Sequence, residues 1–244
     1  MTTFADVLAR QLRGDSSRPF VTFYDDATGE RVELSVTTYA NWVAKTASLL
    51  AEEHELERGQ ALCIDLPCHW LGPVLLGAAW TVGLVVTGPE DAGSGDPDAV
   101  VCGPATLERW AGRAGDLPVL ACSLLPLGVR FTEPLPAGVH DVGVEVWSQP
   151  DAFTPWDPPT DEDTATGSSY GAATQAETWR AAAAGSLLTD GGRLLSEANP
   201  ASPPGLATFT EPLVRAGSLV LVSHAGPGRL DAIYTAERAT ARFP

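Results

Sequence analysis

The sequence predicts an α/β protein: a three-layer, doubly wound, mostly parallel sheet with an N-terminal hairpin. Three observations carry that expectation. Short, almost continuously apolar runs of strand length alternate with helical runs from Ala61 onward, the pattern of parallel strands buried on both faces and joined by crossover helices. Two strand-like segments near the N-terminus flank a turn rich in Asp and Gly. A hydrophobic content of 44% in 244 residues can bury a core the size of one large domain, or of a domain with a smaller annex.

In chain order, Thr3 to Arg13 sets Phe4, Val7, Leu8 and Leu12 at helical spacing. Phe20-Val-Thr-Phe-Tyr and Arg31-Val-Glu-Leu-Ser form the hairpin, with Gly29 in its turn. Thr37 to Glu53 reads as an amphipathic helix whose stripe is Tyr39, Trp42, Val43, Thr46, Leu49 and Leu50. Ala61-Leu-Cys-Ile-Asp-Leu is a buried-strand run stopped by Pro67. Trp70 to Val82 is helical, Gly83 ends it, and Leu84-Val-Val-Thr completes a βαβ unit. Ala99-Val-Val-Cys, the helix Ala105 to Gly112 and Pro118-Val-Leu-Ala-Cys repeat the order more weakly. Open sheets of this kind collect ligands beyond the carboxyl ends of their strands, here near Pro67, Thr87 to Asp98, Gly103 and Ser123. Further on, helices are expected around Ala176 to Leu188, Ala207 to Arg215 and Leu230 to Thr240, and strands at Arg193 to Ser196 and Ser218 to Val222. Gln149 to Thr166 is rich in Pro, Asp and Thr and poor in apolar residues. The expected organisation is therefore an N-terminal α/β subdomain over 1–150, a linker over 151–166, and a second, smaller α/β subdomain over 167–244 packed on the first.

Acidic side chains outnumber basic ones 31 to 15, and the resulting net charge of -16 repels nucleic acid and anionic lipid. The N-terminal residues have no basic n-region or long apolar h-region. Leu71 to Val86 is too short, and too interrupted by Gly72, Pro73 and Gly77, to span a membrane, so a cytoplasmic location is expected. Arginine replaces lysine everywhere except at Lys45, which reads as coding bias alongside the abundant Ala, Gly and Pro. Cys63, Cys68, Cys102 and Cys122 have neither C-x-x-C nor metal-ligand spacing, which predicts free thiols and no metal site. Cys68 follows Pro67 at an expected helix start beside His69; it is either a stabilised thiolate or a small apolar residue in a packed turn. Asp91 to Asp98 is an acidic, glycine-rich loop without calcium-loop register, read as a solvated connection.

The most informative stretch is Thr166-Gly-Ser-Ser-Tyr-Gly-Ala-Ala-Thr174, which runs into the helix expected from Gln175. A small-residue loop opening a helix offers backbone N–H groups and the positive end of the helix dipole to an anion. Thr166, Gly167, Ser168, Ser169, Gly171 and Thr174 are accordingly the candidate nucleotide-binding residues. The loop lacks a cation, and only Arg180 and Arg193, at no recognisable spacing, offer a substitute. The same residues satisfy G-x-S-x-G with Ser169 at the nucleophile position, and Asp190 and His224 follow in hydrolase chain order. A nucleophile elbow needs a buried strand immediately before it, and Asp161 to Thr166 does not read as one.

Gly59-Gln-Ala-Leu-Cys-Ile-Asp-Leu-Pro-Cys-His-Trp70, followed by Leu75-Leu-Gly-Ala-Ala-Trp-Thr-Val-Gly-Leu-Val-Val86, resembles a hallmark of the AMP-binding superfamily, the acyl-CoA synthetases and adenylation domains. In that family the strand ends in Leu-Pro-Asn and the helix in an Ala-Gly-Ala turn. Gly29-Glu-Arg-Val-Glu-Leu-Ser-Val and the helix from Thr37 resemble the family's entry hairpin. The resemblance covers Phe4 to about Val101 and implies the fold of the N-terminal subdomains of adenylate-forming enzymes, with ATP or AMP as the implied ligand. It places Thr166 to Thr174 where such enzymes carry Thr-Ser-Gly-Thr-Thr-Gly-x-Pro-Lys-Gly. Gly171 and the hydroxylic Thr166, Ser168 and Ser169 fit, but Ala173 stands for the proline and Thr174 for the lysine. Asp161-Glu-Asp163 is expected to face a triphosphate and repel it. The later family motifs have no counterpart before Pro244.

Adenylation requires preplaced cations for the charge on the transferred phosphate. The expected function is therefore that of a catalytically degenerate, short relative of the adenylate-forming enzymes that binds a nucleotide, an acyl group or a protein partner. An active acyl ligase with a non-standard loop and a serine hydrolase built on Ser169 are the alternatives. Trp147, Phe153 and Trp156 are candidate anchors for a homodimer or protein partner, or else packed core residues.

Overall fold

The computed structural model describes residues 2–93 and 95–243. The chain opens with α1 (Phe4–Arg13), β1 (Pro19–Asp25), β2 (Glu30–Ser35) and α2 (Val36–Ser48), whose last turns widen into a π-helical segment, Leu49–Glu53. Then come β3 (Ala61–Asp65), α3 (Leu71–Val82), β4 (Val85–Thr87), β5 (Ala99–Cys102), α4 (Leu107–Ala111), β6 (Val119–Ala121), β7 (Val139–Asp141) and α5 (Val142–Glu145). The remainder is β8 (Thr164–Thr166), β9 (Ala173–Thr174), α6 (Gln175–Ala184), β10 (Arg193–Ser196), α7 (Leu206–Val214), β11 (Ser218–Ser223), α8 (Pro227–Ala236) and β12 (Ala241–Phe243).

The strands form two sheets, one of seven in the order β7-β6-β5-β3-β4-β8-β9 and one of five in the order β12-β10-β11-β1-β2. All neighbouring strands are parallel except the hairpins β1–β2 and β8–β9. Alternate residues of each strand point to opposite faces. Leu62, Ile64, Val86, Val101 and Leu120 of the larger sheet and Phe23, Leu194, Leu219 and Leu221 of the smaller one join a single central core. That core also takes the apolar faces of α1, α2, α3, α6 and α7. The opposite faces are covered by Trp110 of α4 against Cys63, Val100 and Cys102, and by Leu230 and Ile233 of α8 against Val220 and Val222. Each sheet is thus the middle of a three-layer unit, and the two units share their inner helices.

The inner layer is tight because α3 is apolar all round and lacks side chains where its neighbours approach. A β-carbon at Gly77 would lie 2.7 Å from Phe4 Cζ and 2.8 Å from Val43 Cγ2, and would also collide with the Tyr39 hydroxyl. Tyr39 donates instead to Pro73 O at 3.0 Å. Gln175, at the start of α6, is buried and satisfied: it accepts from Phe4 N at 3.1 Å and Trp179 Nε1 at 3.0 Å and donates to Trp80 O. One amide side chain therefore ties α1, α3 and α6 together.

Two expectations need correction. The 151–166 boundary does not follow the sheets. Thr164–Thr166 is strand β8 of the seven-stranded sheet, with Ala165 and Thr166 buried and Ala165 O accepting from Trp80 Nε1 at 2.9 Å. The N-terminal hairpin, in turn, pairs with the C-terminal strands, because β1 lies parallel to β11. The statement that no buried strand precedes the Gly167 loop also fails: a three-residue Thr-Ala-Thr strand has too little apolar signal to be read from sequence. No helix among the described residues is long and apolar enough to cross a membrane.

Candidate functional site

The carboxyl ends of the parallel strands of both sheets meet in one region. Asn199, after β10, donates to Leu66 O at 2.7 Å, Ser223 at the end of β11 donates to Cys68 O at 2.9 Å, and Tyr170 donates to Ala201 O at 2.6 Å. These bonds hold the Thr166–Thr174 loop between the ends of β3, β4, β10 and β11. Gly167 is required there by proximity, since a β-carbon would lie 2.9 Å from Thr87 Cγ2 and 3.1 Å from Asp91 Oδ2. Gly171 supplies the left-handed backbone, φ 75°, that turns the chain into β9.

The donors of this loop converge on a carboxylate of the protein itself. Asp91 Oδ1 accepts from Ser168 Oγ at 2.6 Å and Ser169 N at 2.8 Å, while Oδ2 accepts from Ser169 Oγ at 2.5 Å and Gly88 N at 3.1 Å. Of the other loop amides, Gly167 N bonds to Val86 O, Tyr170 N to Gly167 O and Gly171 N to Ser168 O. Burial alone would raise the Asp91 pKa, but the bonds from Ser168, Ser169 and Gly88 outweigh it and hold the carboxyl below its ordinary value. Asp91 is therefore an ionised, buried anchor. It is not part of a solvated connection, as the sequence suggested.

Nor does α6 aim its dipole at the loop. The chain reverses through the β8–β9 hairpin, so α6 starts beside the amino end of β8. Its first amides are already used: Gln175 N bonds to Asp163 O, Ala176 N to Asp161 O, and Thr174 and Glu177 form a reciprocal capping box. Asp161, Glu162 and Asp163 lie at that same end, away from the loop, with Asp163 Oδ1 paired to Arg58 Nη2 at 2.7 Å. The carboxylate that meets the loop is Asp91. Among the possible cations, Lys45 pairs with Asp151 at 3.1 Å, Arg193 is bound to Glu237 and Thr22, and Arg180 is exposed on α6.

The structure brings Gly167, Ser168 and Ser169 together around Asp91, keeps Thr166 and Gly171 in the flanking strand and turn, and leaves Thr174 as the α6 cap. It does not assemble Ser169, Asp190 and His224. Ser169 bonds to Asp91, Asp190 pairs with Arg215 at 3.0 Å, and exposed His224 Nδ1 meets Asp25 Oδ1 at 2.8 Å. Among the described residues, none of these three hydrogen-bonds to another. The Cys68 thiol is pushed up to about 11 by burial, so it is protonated near neutrality and does not behave as an activated thiolate.

Beside the loop, between the β8–β9 hairpin, α6 and α7, lies a cleft of about 580 Å³. Its walls are mainly small and apolar, including Ala173, Ala181, Ala182, Pro204 and Leu206. They carry two carboxylates, Glu177 and Glu211, and no basic side chain. The carboxylates are engaged, Glu177 with Thr174 N and Glu211 with Leu187 N at 2.9 Å. Thr178 Oγ1, in the wall, is buried without a hydrogen-bond partner. Sequence reasoning missed this cleft because α6 and α7 meet only in three dimensions.

No family profile matches the chain. A protein of Mycobacterium tuberculosis (strain ATCC 25618 / H37Rv), described as a TIGR03089 family protein, is 35% identical over 241 residues, covering 96% of this chain and 95% of that one. The chain belongs to the TIGR03089 family. Its fold matches larger solved proteins at low identity. A Brucella canis acyl-CoA synthetase gives a TM-score of 0.77 at 16% identity, and the N-terminal domain of FACL13 from Mycobacterium tuberculosis gives 0.72 at 15%. The anthranilate CoA ligase AuaEII, solved with anthranoyl-AMP, gives 0.74 at 12%. Each match covers 98% of this chain but only 46%, 62% and 48% of the other. This family member thus has the fold of the N-terminal part of adenylate-forming enzymes and spans about half the length of most of them.

Proposed function

We propose that the protein is a catalytically degenerate member of the adenylate-forming fold that binds a compact, uncharged acyl-type ligand in the cleft between α6 and α7. One observation carries the reading: the Ser168 and Ser169 hydroxyls and Ser169 N of the loop are taken by Asp91, while the adjacent apolar cleft is open. A triphosphate entering the loop would have to displace a buried carboxylate against like charge and without a nearby free cation. An acyl chain loses nothing comparable on entering a pocket of alanine, proline and leucine. Calorimetric titration of the full chain with medium-chain acyl amides and with MgATP tests this. Saturable acyl binding that is lost in Ala181→Trp, with no ATP heat, is expected; ATP binding without acyl binding would overturn it.

A second reading, self-association, rests on the full exposure of Trp156 and the half-exposure of Trp147, which packs edge-on against Trp42 at 5.3 Å. Sedimentation should then show a mass that rises with concentration in the wild type and stays monomeric in Trp156→Ala.

A further inference from the structure

Two of the chain's four histidines converge on one carboxylate, far from the phosphate loop. His54 ends the π-helical extension of α2, His140 lies in the edge strand β7, and Glu145 ends α5. Glu145 Oε2 is 3.0 Å from His54 Nε2 and Oε1 is 2.9 Å from His140 Nδ1, while the two imidazole rings stand edge to face with centroids 4.5 Å apart. One donor atom from each residue lies within 4.8 Å of the other two. We propose that His54, His140 and Glu145 form a binding site for a zinc-class divalent cation.

The chemistry of the donors fits. Two imidazoles and one carboxylate are a borderline-soft N₂O set that suits zinc and leaves a fourth position for water. Bonds of about 2.0–2.1 Å in a tetrahedron put neighbouring donors about 3.3 Å apart. The two histidine–glutamate separations, which run to different oxygens of Glu145, are each within about 0.4 Å of that distance, and half-exposed His140, with 41% of its side chain exposed, can turn to bring its donor and the His54 donor onto one ion. To coordinate through these nitrogens, each imidazole must carry its proton on the other ring nitrogen. The His54 side chain is 5% exposed. The titratable groups facing it are Glu145, His140 and Glu53, and the net charge of -16 adds a general attraction for cations. His54 and Glu145 are 91 residues apart, so no linear motif announces the site. An ion there would staple the edge strand of the larger sheet to the end of α2.

Chelator-treated full-length protein titrated with Zn²⁺ alone, and with Co²⁺ as a spectroscopic substitute, tests the proposal. The wild type should bind one equivalent with a raised Tm, and Co²⁺ should give the visible bands of a tetrahedral N/O site. His140→Ala, an exposed position, and Glu145→Gln, which can still accept from His54, should each weaken binding by about tenfold or more while leaving the metal-free Tm near that of the wild type. Failure to saturate at one equivalent would overturn the site. Tight binding unchanged in both variants would overturn it equally, by placing the ion elsewhere. The outcome is independent of what the α6–α7 cleft holds.

Discussion

Replacing Asp91 with Ala removes the acceptor on which the Thr166–Thr174 loop closes. Among the described residues, the donors that lose this partner include two hydroxyls, Ser168 and Ser169, and two amides, Gly88 N and Ser169 N. The hydroxyls can rotate to water or to each other at little cost. The amides are fixed, and each costs about 1–3 kcal/mol when left unpaired, less where water enters the space vacated by the carboxylate. Removing the buried charge recovers part of its desolvation cost. The net expectation is a loss of about 2–4 kcal/mol. With a urea m-value of about 2–3 kcal/mol/M, the unfolding midpoint should fall by about 1 M. The folded Asp91 pKa lies below its ordinary 3.8, so the bond contributes fully above that pH and is lost as pH falls through the folded pKa. The difference between wild type and variant should therefore narrow in acid. The variant also exposes an anion cradle, so millimolar phosphate should stabilise Asp91→Ala and not the wild type. A loss under about 0.5 kcal/mol, with identical phosphate responses, would refute the account of a loop held shut by its own carboxylate.

Gly77→Ala should destabilise by about 1–3 kcal/mol in chemical denaturation, because overpacking against Phe4, Tyr39 and Val43 outweighs the roughly 1 kcal/mol gain in helix propensity; a stabilised variant would contradict the close approach of α2 and α3. Burial pushes the His69 pKa down to about 4, and its Nε2 has no partner. The unfolded chain therefore binds a proton between pH 6.5 and 4 that the folded one refuses, and stability should fall by about 2–3 kcal/mol as pH drops from 6.5 to 4.5. His69→Leu should flatten that slope, and an unchanged slope would show that other groups produce it. Ser169 should resist a fluorophosphonate probe at pH 7, since its hydroxyl faces a carboxylate and no imidazole; rapid covalent labelling by mass spectrometry would reinstate the hydrolase reading.

The parts of the fold carried by local pattern were legible in the residues. The run Ala61 to Val86 showed its strand, helix and strand because Pro67 and Gly83 punctuate apolar stretches of the right lengths, and Ala99–Cys102 matched its strand end for end. The division into two sheets was not legible. It depends on β1 pairing with β11 across almost the whole chain, and nothing local distinguishes that partner from β3. At the site, the glycines and hydroxyls of the Thr166–Thr174 loop pointed to an anion cradle, and in the structure its Ser168 and Ser169 donate to a carboxylate of the chain itself. What fills it is Asp91, a residue 77 positions from Ser168, in a stretch whose composition reads as solvated. The helix-dipole expectation failed because Ala173 and Thr174 form a returning strand too short to recognise.

The chain has the fold of the N-terminal part of adenylate-forming enzymes and closes its Thr166–Thr174 loop on its own Asp91 carboxylate. Pyrophosphate exchange into ATP, measured on the wild-type chain across a panel of carboxylic acids, tests it most directly. Exchange at the protein-free background for every acid is the predicted result. Exchange that saturates with ATP and depends on one acid would contradict the account.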